Sequence, residues 1–541
     1  MDHMQSLGLV LGVDCSTQGT ACVVLDRTTF AVVRQIKLNY RDDPRLSAYL
    51  PDGATSPLLV PREDGEADQP PMMFLAALDA LFEDLGPDLL RGIAAINVSA
   101  QQHGQVWLTQ EGTQAICGLR RTSSLGFRRS LLESFPSDGF AQPRAPIWMT
   151  TSTWAEADAI RNACGGVRGV TARSGSDSPL RFSGAVLRRI ALRHQEVYAR
   201  ATRLHLISSF LTSVLCGDPD SPIDWGNGSG TSLMNWTERR WDPVLVNAVA
   251  CDLPGGAAGL LSRLPVLTHP HAIVGTIAPG LAGRYGFHQK CKVVAGSGDN
   301  PQTKVLAAGE LLSLGTSFVL MTPGTAPHPA ANAMYDGLGR PFLFGCRTNG
   351  AMTWEAVRTR HGLDANDFEA SERALAAHTV GSADPSLIFQ PVAESFPLSP
   401  IMMPPQLLDF DSEYASAVDA SLTLLFLASR VFAQDPGPLS VVGGGAASKG
   451  VLSRIAEIWG RPVVSLSLAG AAMGASVAAA IALAPANKRE SSAARARVLA
   501  AGAGESMVAR PGSSTRLRAA GGYFEQLSDA FLALTGRLPT A

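Results

Sequence analysis

"LGLVLGVDCSTQGTACVVLD" spans Leu7–Asp26, and its reading decides how the rest of the chain is understood. An apolar run, Leu7 to Val13, ends on Asp14; a second, Ala21 to Leu25, ends on Asp26. Ser16, Thr17, Gly19 and Thr20 lie between them. Two short apolar runs about a polar, Gly-containing bend predict two strands joined by a tight turn. Such a bend presents backbone N–H groups and hydroxyls in a concave nest that suits anionic oxygens. Asp14 at the strand end would repel a phosphate unless a cation stood between. Mg²⁺, held through a carboxylate and water, is the natural one. An ordinary hairpin turn would carry the same residues.

Half a chain further on, "GELLSLGTSFVLMTPG" (Gly309–Gly324) again places a hydroxyl-rich bend between apolar runs, as a duplicated domain would. Strand-like runs (Gly8–Val13, Ala21–Leu25, Ala94–Ser99, Val293–Gly296, Phe318–Met321, Leu439–Val442) alternate with helix-like ones. The latter are Met72–Leu81, Ala155–Ala163, Gly184–Arg193, Leu204–Cys216, Val418–Ala433, Gly450–Trp459 and Ala471–Ala482. This alternation predicts α/β architecture with covered sheets, and 541 residues suffice for two full cores. The polar segments Arg41–Pro71 and Pro485–Ser514 read as exposed loops or insertions.

Composition excludes several classes. Net charge is −2 with Lys and Arg scattered, so no basic stripe marks a nucleic-acid partner. None of the eight Cys forms a CxxC pair, which argues against a zinc site or redox dithiol and for a reducing cytoplasm. No basic region precedes the first apolar stretch, so no signal peptide is expected. Val463–Ala486 is uncharged and long enough to span a bilayer, but it is mostly Ala, Ser and Gly, with Gly470 and Gly474 inside it. It is expected to be a buried strand followed by a buried helix, with no membrane partner.

Three more stretches carry candidate chemistry. In "AGSGDNPQTKV" (Ala295–Val305) a strand ends in Gly296-Ser297-Gly298, and Asp299 stands where a helix begins. The residue reads either as a helix-terminal carboxylate available for proton transfer or as an N-cap. In "VVGGGAASKGVLSRIAEIWGRPV" (Val441–Val463) a strand runs into three glycines and a helix, matching neither a Walker A loop nor G-x-G-x-x-G. It reads either as backbone packed close to a nucleotide or as a tight strand-to-helix turn. In "NVSAQQHGQVWL" (Asn97–Leu108), Gln102 and His103 beside Trp107 suit a polyhydroxylated ligand, or His103 is a satisfied histidine in a hairpin.

Together and in this order, these stretches resemble the FGGY family of carbohydrate kinases, of the actin/Hsp70/sugar-kinase superfamily. The opening hairpin is similar to the family's first phosphate motif, "GSGDN" to its catalytic segment, "SLGTS" to its second phosphate motif, and "GGGAASKGVLSRIAEIWGRPV" to its adenosine motif. "SAQQHGQVW" (99–107), "PIWMTTST" (146–153), "LRFSG" (180–184), "LISSFLTSVLCG" (206–217) and "SPIDWGNGSGTSL" (221–233) most resemble xylulokinases of the longer animal type. Two positions depart: Thr150 stands where many members have an acid, and "DANDF" (364–368) lacks the Trp found there in animal-type members.

The resemblance implies two ribonuclease-H-like, actin-like ATPase lobes with a cleft between them. Residues 5–303 would form the sugar-binding lobe and 304–541 the nucleotide-binding lobe. It implies ATP-dependent phosphorylation of a ketopentose, D-xylulose first, with another pentulose, a polyol or gluconate as alternative acceptors. Asp299 would be the catalytic base, and Gln102, His103, Arg181, Asp299 and Asn300 would bind the sugar. Asp14, Ser16, Thr17, Gln18, Gly315, Thr316, Gly444, Gly445 and Ser448 would hold ATP, with Asp14 holding Mg²⁺ through water. A homodimer is the assembly to test. An actin- or Hsp70-like ATP-binding module would need no Gln102-His103 and Arg181 constellation, and a catalytically dead sensor should lack Asp299.

Overall fold

The computed structural model describes residues 7–54, 56–121, 130–382, 384–403, 408–467, 470–502 and 504–539. The opening hairpin forms as the sequence predicts. β1 (Leu9–Cys15) pairs antiparallel with β2 (Gly19–Asp26), setting Asp14 opposite Ala21 and Cys15 opposite Thr20. β3 (Val32–Asn39) continues the antiparallel side. On the other side β4 (Ile93–Ala100) lies parallel to β1. β5 (Ile273–Thr276) closes the edge antiparallel to β6 (Lys292–Val294), which is itself parallel to β4. β4 is buried at every residue, as a central strand covered on both faces must be. The helix α1 (Asp299–Lys304) leaves this sheet just after Ser297-Gly298 pairs with β4.

The second hairpin builds a second sheet on the same plan. β7 (Leu311–Leu314) pairs antiparallel with β8 (Phe318–Pro323), and β8 with β9 (Pro341–Arg347). β10 (Leu439–Val442) lies parallel to β7, β11 (Val463–Ser465) parallel to β10, and β12 (Ser506–Met507) antiparallel to β11. α2 (Lys449–Trp459) follows β10. The two sheets thus agree in strand order and direction over six strands. The echo between the two hairpins marks a repeated α/β unit.

The chain divides into two compact units. One comprises Met1–Leu306, Ala333–Pro341 and Gly470–Ala496; the other comprises Ala307–Asn332, Phe342–Ala469 and Arg497–Ala541. The first unit therefore takes in more chain than a single cut after residue 303 would give it. The reason is α3 (Ala471–Leu483), which is buried along its length until its last residue and lies against β1, β4 and α1. Two glycines allow that approach. A Cβ on Gly12 of β1 would lie 2.2 Å from the Ala472 carbonyl, and one on Gly474 would lie 1.9 Å from the Gln302 carbonyl. Ser476 Oγ donates to the Val23 carbonyl at 2.7 Å. The uncharged run thus holds a strand that is buried at Val463 and half-buried at Val464 and Ser465, and a buried helix, and no helix among the described residues is long and apolar enough to cross a membrane.

One core of the first unit gathers Leu11, Val13, Phe74, Phe82, Val98 and Phe210; another gathers Trp107, Ile190, Tyr198 and Val249. The second unit packs Leu312, Phe318, Val418, Val441 and Ile455. Two expectations need correction. Leu204–Cys216 is not all helix: Arg203–Leu206 is a strand paired with Gln105–Leu108, and the helix begins at Ile207. Pro485–Ser514 is not a loop, for Arg489–Ala501 is helical and β12 belongs to the sheet. That helix buries Ala493, Ala496 and Ala500, a stripe of small residues hidden among charged ones.

Candidate active site

In the first unit the β1–β2 turn is closed at its base. Both the N–H and Oγ of Ser16 reach the Gly19 carbonyl at 3.0 Å. Gln18 is exposed, and among the described residues no hydrogen bond uses the N–H groups of Thr17 and Gln18. The Thr17 hydroxyl is committed: it accepts from Trp148 Nε1 at 2.8 Å and donates to Gln101 Oε1 at 3.2 Å. Asp14 accepts from Ser99 Oγ at 2.7 Å, and burial pushes its carboxyl up to about 6 despite that bond.

Asp299 is the first residue of α1. The N-cap is Gly298, and no side chain caps this helix, so the N-cap reading of Asp299 fails. Its carboxyl instead accepts the N–H of Asn300 at 2.8 Å and the backbone N–H of Gln102. Burial first, and the charge of Asp14 second, push it up to about 7. A carboxyl there is poised to exchange a proton near neutral pH. Asn300 Nδ2 donates to Gln102 Oε1 at 3.0 Å, and Gln102 Nε2 faces Met334 Sδ at 3.1 Å.

His103 follows at φ +68°, a left-handed conformation uncommon for a residue with a side chain. Its ring stacks on Phe182 with centroids 4.5 Å apart, and Nδ1 lies 2.9 Å from the Gly230 carbonyl. A carbonyl only accepts, so Nδ1 carries the proton and Nε2 offers a lone pair. Burial, with the charge of Arg181 added, pushes His103 down to about 3. The ring is therefore neutral at physiological pH. Asp14, Gln102, His103, Arg181, Asp299 and Asn300 are thus joined in one unit by direct contact, a shared charge or chain adjacency.

In the second unit, Gly315 and the exposed Thr316 form the β7–β8 turn. Their carbonyls accept the N–H groups of Ala351 and Met352 at 3.1 and 3.3 Å, at the start of the helix Ala351–Arg360. Gly443 (φ +94°) carries β10 past β7, where a Cβ would lie 2.4 Å from the Leu314 carbonyl. The exposed Gly444 and half-buried Gly445 follow in a short turn, Gly444–Ala447. Ser448 is the N-cap of α2: its Oγ accepts from Val451 N–H at 3.0 Å and donates to Glu372. Glu372 also accepts the Gly450 N–H at 3.1 Å.

Several polar residues around these groups had no place in the sequence reading. Ser99, Gln101 and Gln69 hold the first turn, and Asp224 accepts from Ser297 Oγ at 2.6 Å beside Asp299. Asn97 and Ser99 alternate within an otherwise apolar strand, a signal that was legible. Thr150, at the position where an acid was looked for, is buried and donates to the Ala67 carbonyl at 3.3 Å.

Residues 143–305 match the FGGY family of carbohydrate kinases, N-terminal domain. Xylulose kinase 2 of Arabidopsis thaliana is 31% identical over 57% of this chain; the chain spans about half of that relative's length, 53%. The xylulose kinase of Rattus norvegicus is 28% identical over 84% of each chain. The solved structure of a ligand-bound xylulose kinase from Lactobacillus acidophilus aligns with a TM-score of 0.76 over 97% of this chain and 98% of its own, at 17% identity. That last likeness is one of fold.

Proposed function

The chain belongs to the FGGY family of carbohydrate kinases, and we propose that it transfers the γ-phosphoryl group of ATP to D-xylulose, giving D-xylulose 5-phosphate and ADP. One observation carries the reading. Asp299 is a half-buried carboxyl that caps no helix, is pushed up to about 7, and is bonded through its neighbours to Gln102.

Phosphoryl transfer asks for positioning, charge stabilisation and a group to take the alcohol proton. Gln102, His103, Arg181 and Asn300 bind the ketopentose hydroxyls. His103 does so by accepting a hydrogen bond from a sugar hydroxyl at Nε2, since its Nδ1–H is committed to Gly230. As the attacking sugar oxygen forms its bond to the γ-phosphorus, the bond from that phosphorus to the β,γ-bridging oxygen breaks. The hydroxyl proton passes to Asp299. Such general-base assistance is worth on the order of 10²–10⁴ in rate.

Thr17 and Gln18 through their N–H groups hold phosphate oxygens on the first unit, while Ser16, its N–H and hydroxyl both given to the Gly19 carbonyl, closes the turn. Gly315 and Thr316 do so on the second. Gly444 and Gly445 line the nucleotide, while Ser448 shapes that segment by capping α2. The acids fit a divalent cation: the charge of Asp14 adds to the cost of ionising Asp299, and a cation at Asp14 lowers that cost. Mg²⁺, a cation that keeps much of its water, is the one we propose there. Bound there, it would supply neutralisation of the phosphate charge.

The test is ATP consumption against D-xylulose, ribulose, gluconate, arabinitol and glycerol, with the product identified by mass. D-xylulose should give the highest kcat/KM. Preference for another acceptor, or no turnover with any, would refute the assignment.

A further inference from the structure

β4 is buried along its whole length, yet its polar side chains recur at every second position toward its end: Asn97, Ser99 and, one step beyond the strand, Gln101. A period of two puts all three on one face. Each reaches a different part of the site. Asn97 Oδ1 accepts from Gln302 of α1 at 3.4 Å, Ser99 holds Asp14, and Gln101 holds Thr17.

The last of these bonds belongs to a closed ring. Gln101 Nε2 donates to Gln69 Oε1 at 2.6 Å. Gln69 Nε2 donates in turn to the Thr17 carbonyl and the Pro57 carbonyl, each at 2.8 Å. Thr17 is thus gripped at its hydroxyl and its carbonyl by two amides that are themselves bonded to each other. The direction of donation is unambiguous. The Thr17 and Pro57 carbonyls only accept, so Gln69 turns Nε2 to them and Oε1 to Gln101. Gln101 therefore gives Nε2 to Gln69 and turns Oε1 to Thr17, whose hydroxyl donates to it while accepting from Trp148. Both glutamines are buried, Gln69 completely, so each bond is sheltered from water.

We propose that Gln69 and Gln101 are positioning residues that fix the plane of the Thr17–Gln18 peptide, and with it the Gln18 N–H offered to the ATP phosphates. Gln101 also adjoins Gln102 and His103, so one strand end sets both the phosphate turn and the sugar contacts. The inference rests on the reading of that turn as a phosphate cradle. Gln69 comes from the polar segment that the sequence presents as an insertion; its short strand Asp68–Gln69 pairs with Ala145–Pro146 and brings it under the turn.

The test uses the full-length chain. Gln101→Met keeps the size of the side chain and removes its hydrogen bonds. It should lower kcat/KM for ATP about tenfold, as loss of orientation does, while D-xylulose affinity by calorimetry stays within about twofold. Thr17→Val should do the same, Thr17→Ser, which restores the hydroxyl, should recover most of that loss, and Gln101→Met/Thr17→Val should be no worse than the worse single variant. Additive effects, or an unchanged kcat/KM for ATP in folded Gln101→Met, would overturn the proposal. If Gln101→Met does not fold, the Thr17 pair decides: Val and Ser behaving alike would overturn it as well. Wild-type turnover of ATP with a sugar is measured first. Turnover with unchanged variants rejects the positioning role alone, whereas no turnover rejects the kinase reading and the positioning role together.

Discussion

Gly474→Ala is expected to damage both folding and catalysis, and the size of the effect follows from one contact. The added Cβ would lie 1.9 Å from the Gln302 carbonyl oxygen and 2.6 Å from its carbon, so the two backbones must part by about 1.5 Å to reach ordinary contact. Both atoms sit on helices, α3 and α1, and neither can rotate away. Overpacking of this kind costs about 1–3 kcal/mol and occasionally more. The better helix propensity of Ala returns about 1 kcal/mol at most. A net loss of about 1–2 kcal/mol is expected. Because α1 begins at Asp299, displacement also moves the acid, and a shift of about 1 Å costs on the order of 10² in rate. Gly118 provides the control. It lies in the helix Gln110–Arg121 with nothing within 4 Å of its added Cβ, so Gly118→Ala should stabilise by about 0.5–1 kcal/mol and leave kcat alone. Urea unfolding followed by circular dichroism reads the first effect, and a coupled ADP assay reads the second. If Gly474→Ala unfolds at the wild-type midpoint with wild-type kcat, the packing of α3 on α1 is not what holds Asp299.

Other outcomes follow from the charges. Folded Asp14 titrates near 6 rather than 3.8, so the folded state binds more protons than the unfolded one and loses stability as pH rises from about 4 through 6. In EDTA, Asp14→Asn should match wild type near pH 4 and be about 1–2 kcal/mol more stable at pH 8, part of the roughly 3 kcal/mol that a rise from 3.8 to about 6 represents; a pH-independent difference in thermal melts would contradict this. Asp299 must be ionised to take a proton, so kcat/KM should fall as pH drops below about 7, and the residual activity of Asp14→Asn should carry that limb to lower pH. His103→Ala should raise the sugar KM several-fold, since a lost hydrogen bond is worth about 0.5–1.5 kcal/mol and more when its partner is left unpaired, with little change in the ATP KM. The reverse pattern would remove His103 from the sugar pocket.

The parts of this fold that were legible in the sequence rest on local rules. Two apolar runs about "DCSTQGT" could only be a hairpin, and "SLGTS" repeats the device, so the duplication was visible before any pairing was known. Asp299 stood out because small residues precede it. What could not be read depends on contacts distant along the chain. Gln69 looks like part of a polar loop, and only its 52-residue reach back to Thr17 makes it structural. The return of Gly470–Ala496 to the first unit is written in Gly12 and Gly474, which are anonymous until the two backbones meet. Ser448 resembled a ligand-facing hydroxyl, yet a residue three positions before a free N–H is equally a cap, and the cap is what forms.

The most direct measurement is the single-turnover rate of Asp299→Asn with D-xylulose and ATP, alongside calorimetric binding of each substrate. Asn keeps the size of the side chain and an acceptor for the Asn300 N–H, but it cannot take a proton. The expected rate is at least about 10²-fold below wild type, with both affinities within about threefold. A variant that folds, binds both substrates and turns over within about twofold of wild type would show that the proton goes elsewhere and that Asp299 is not the base.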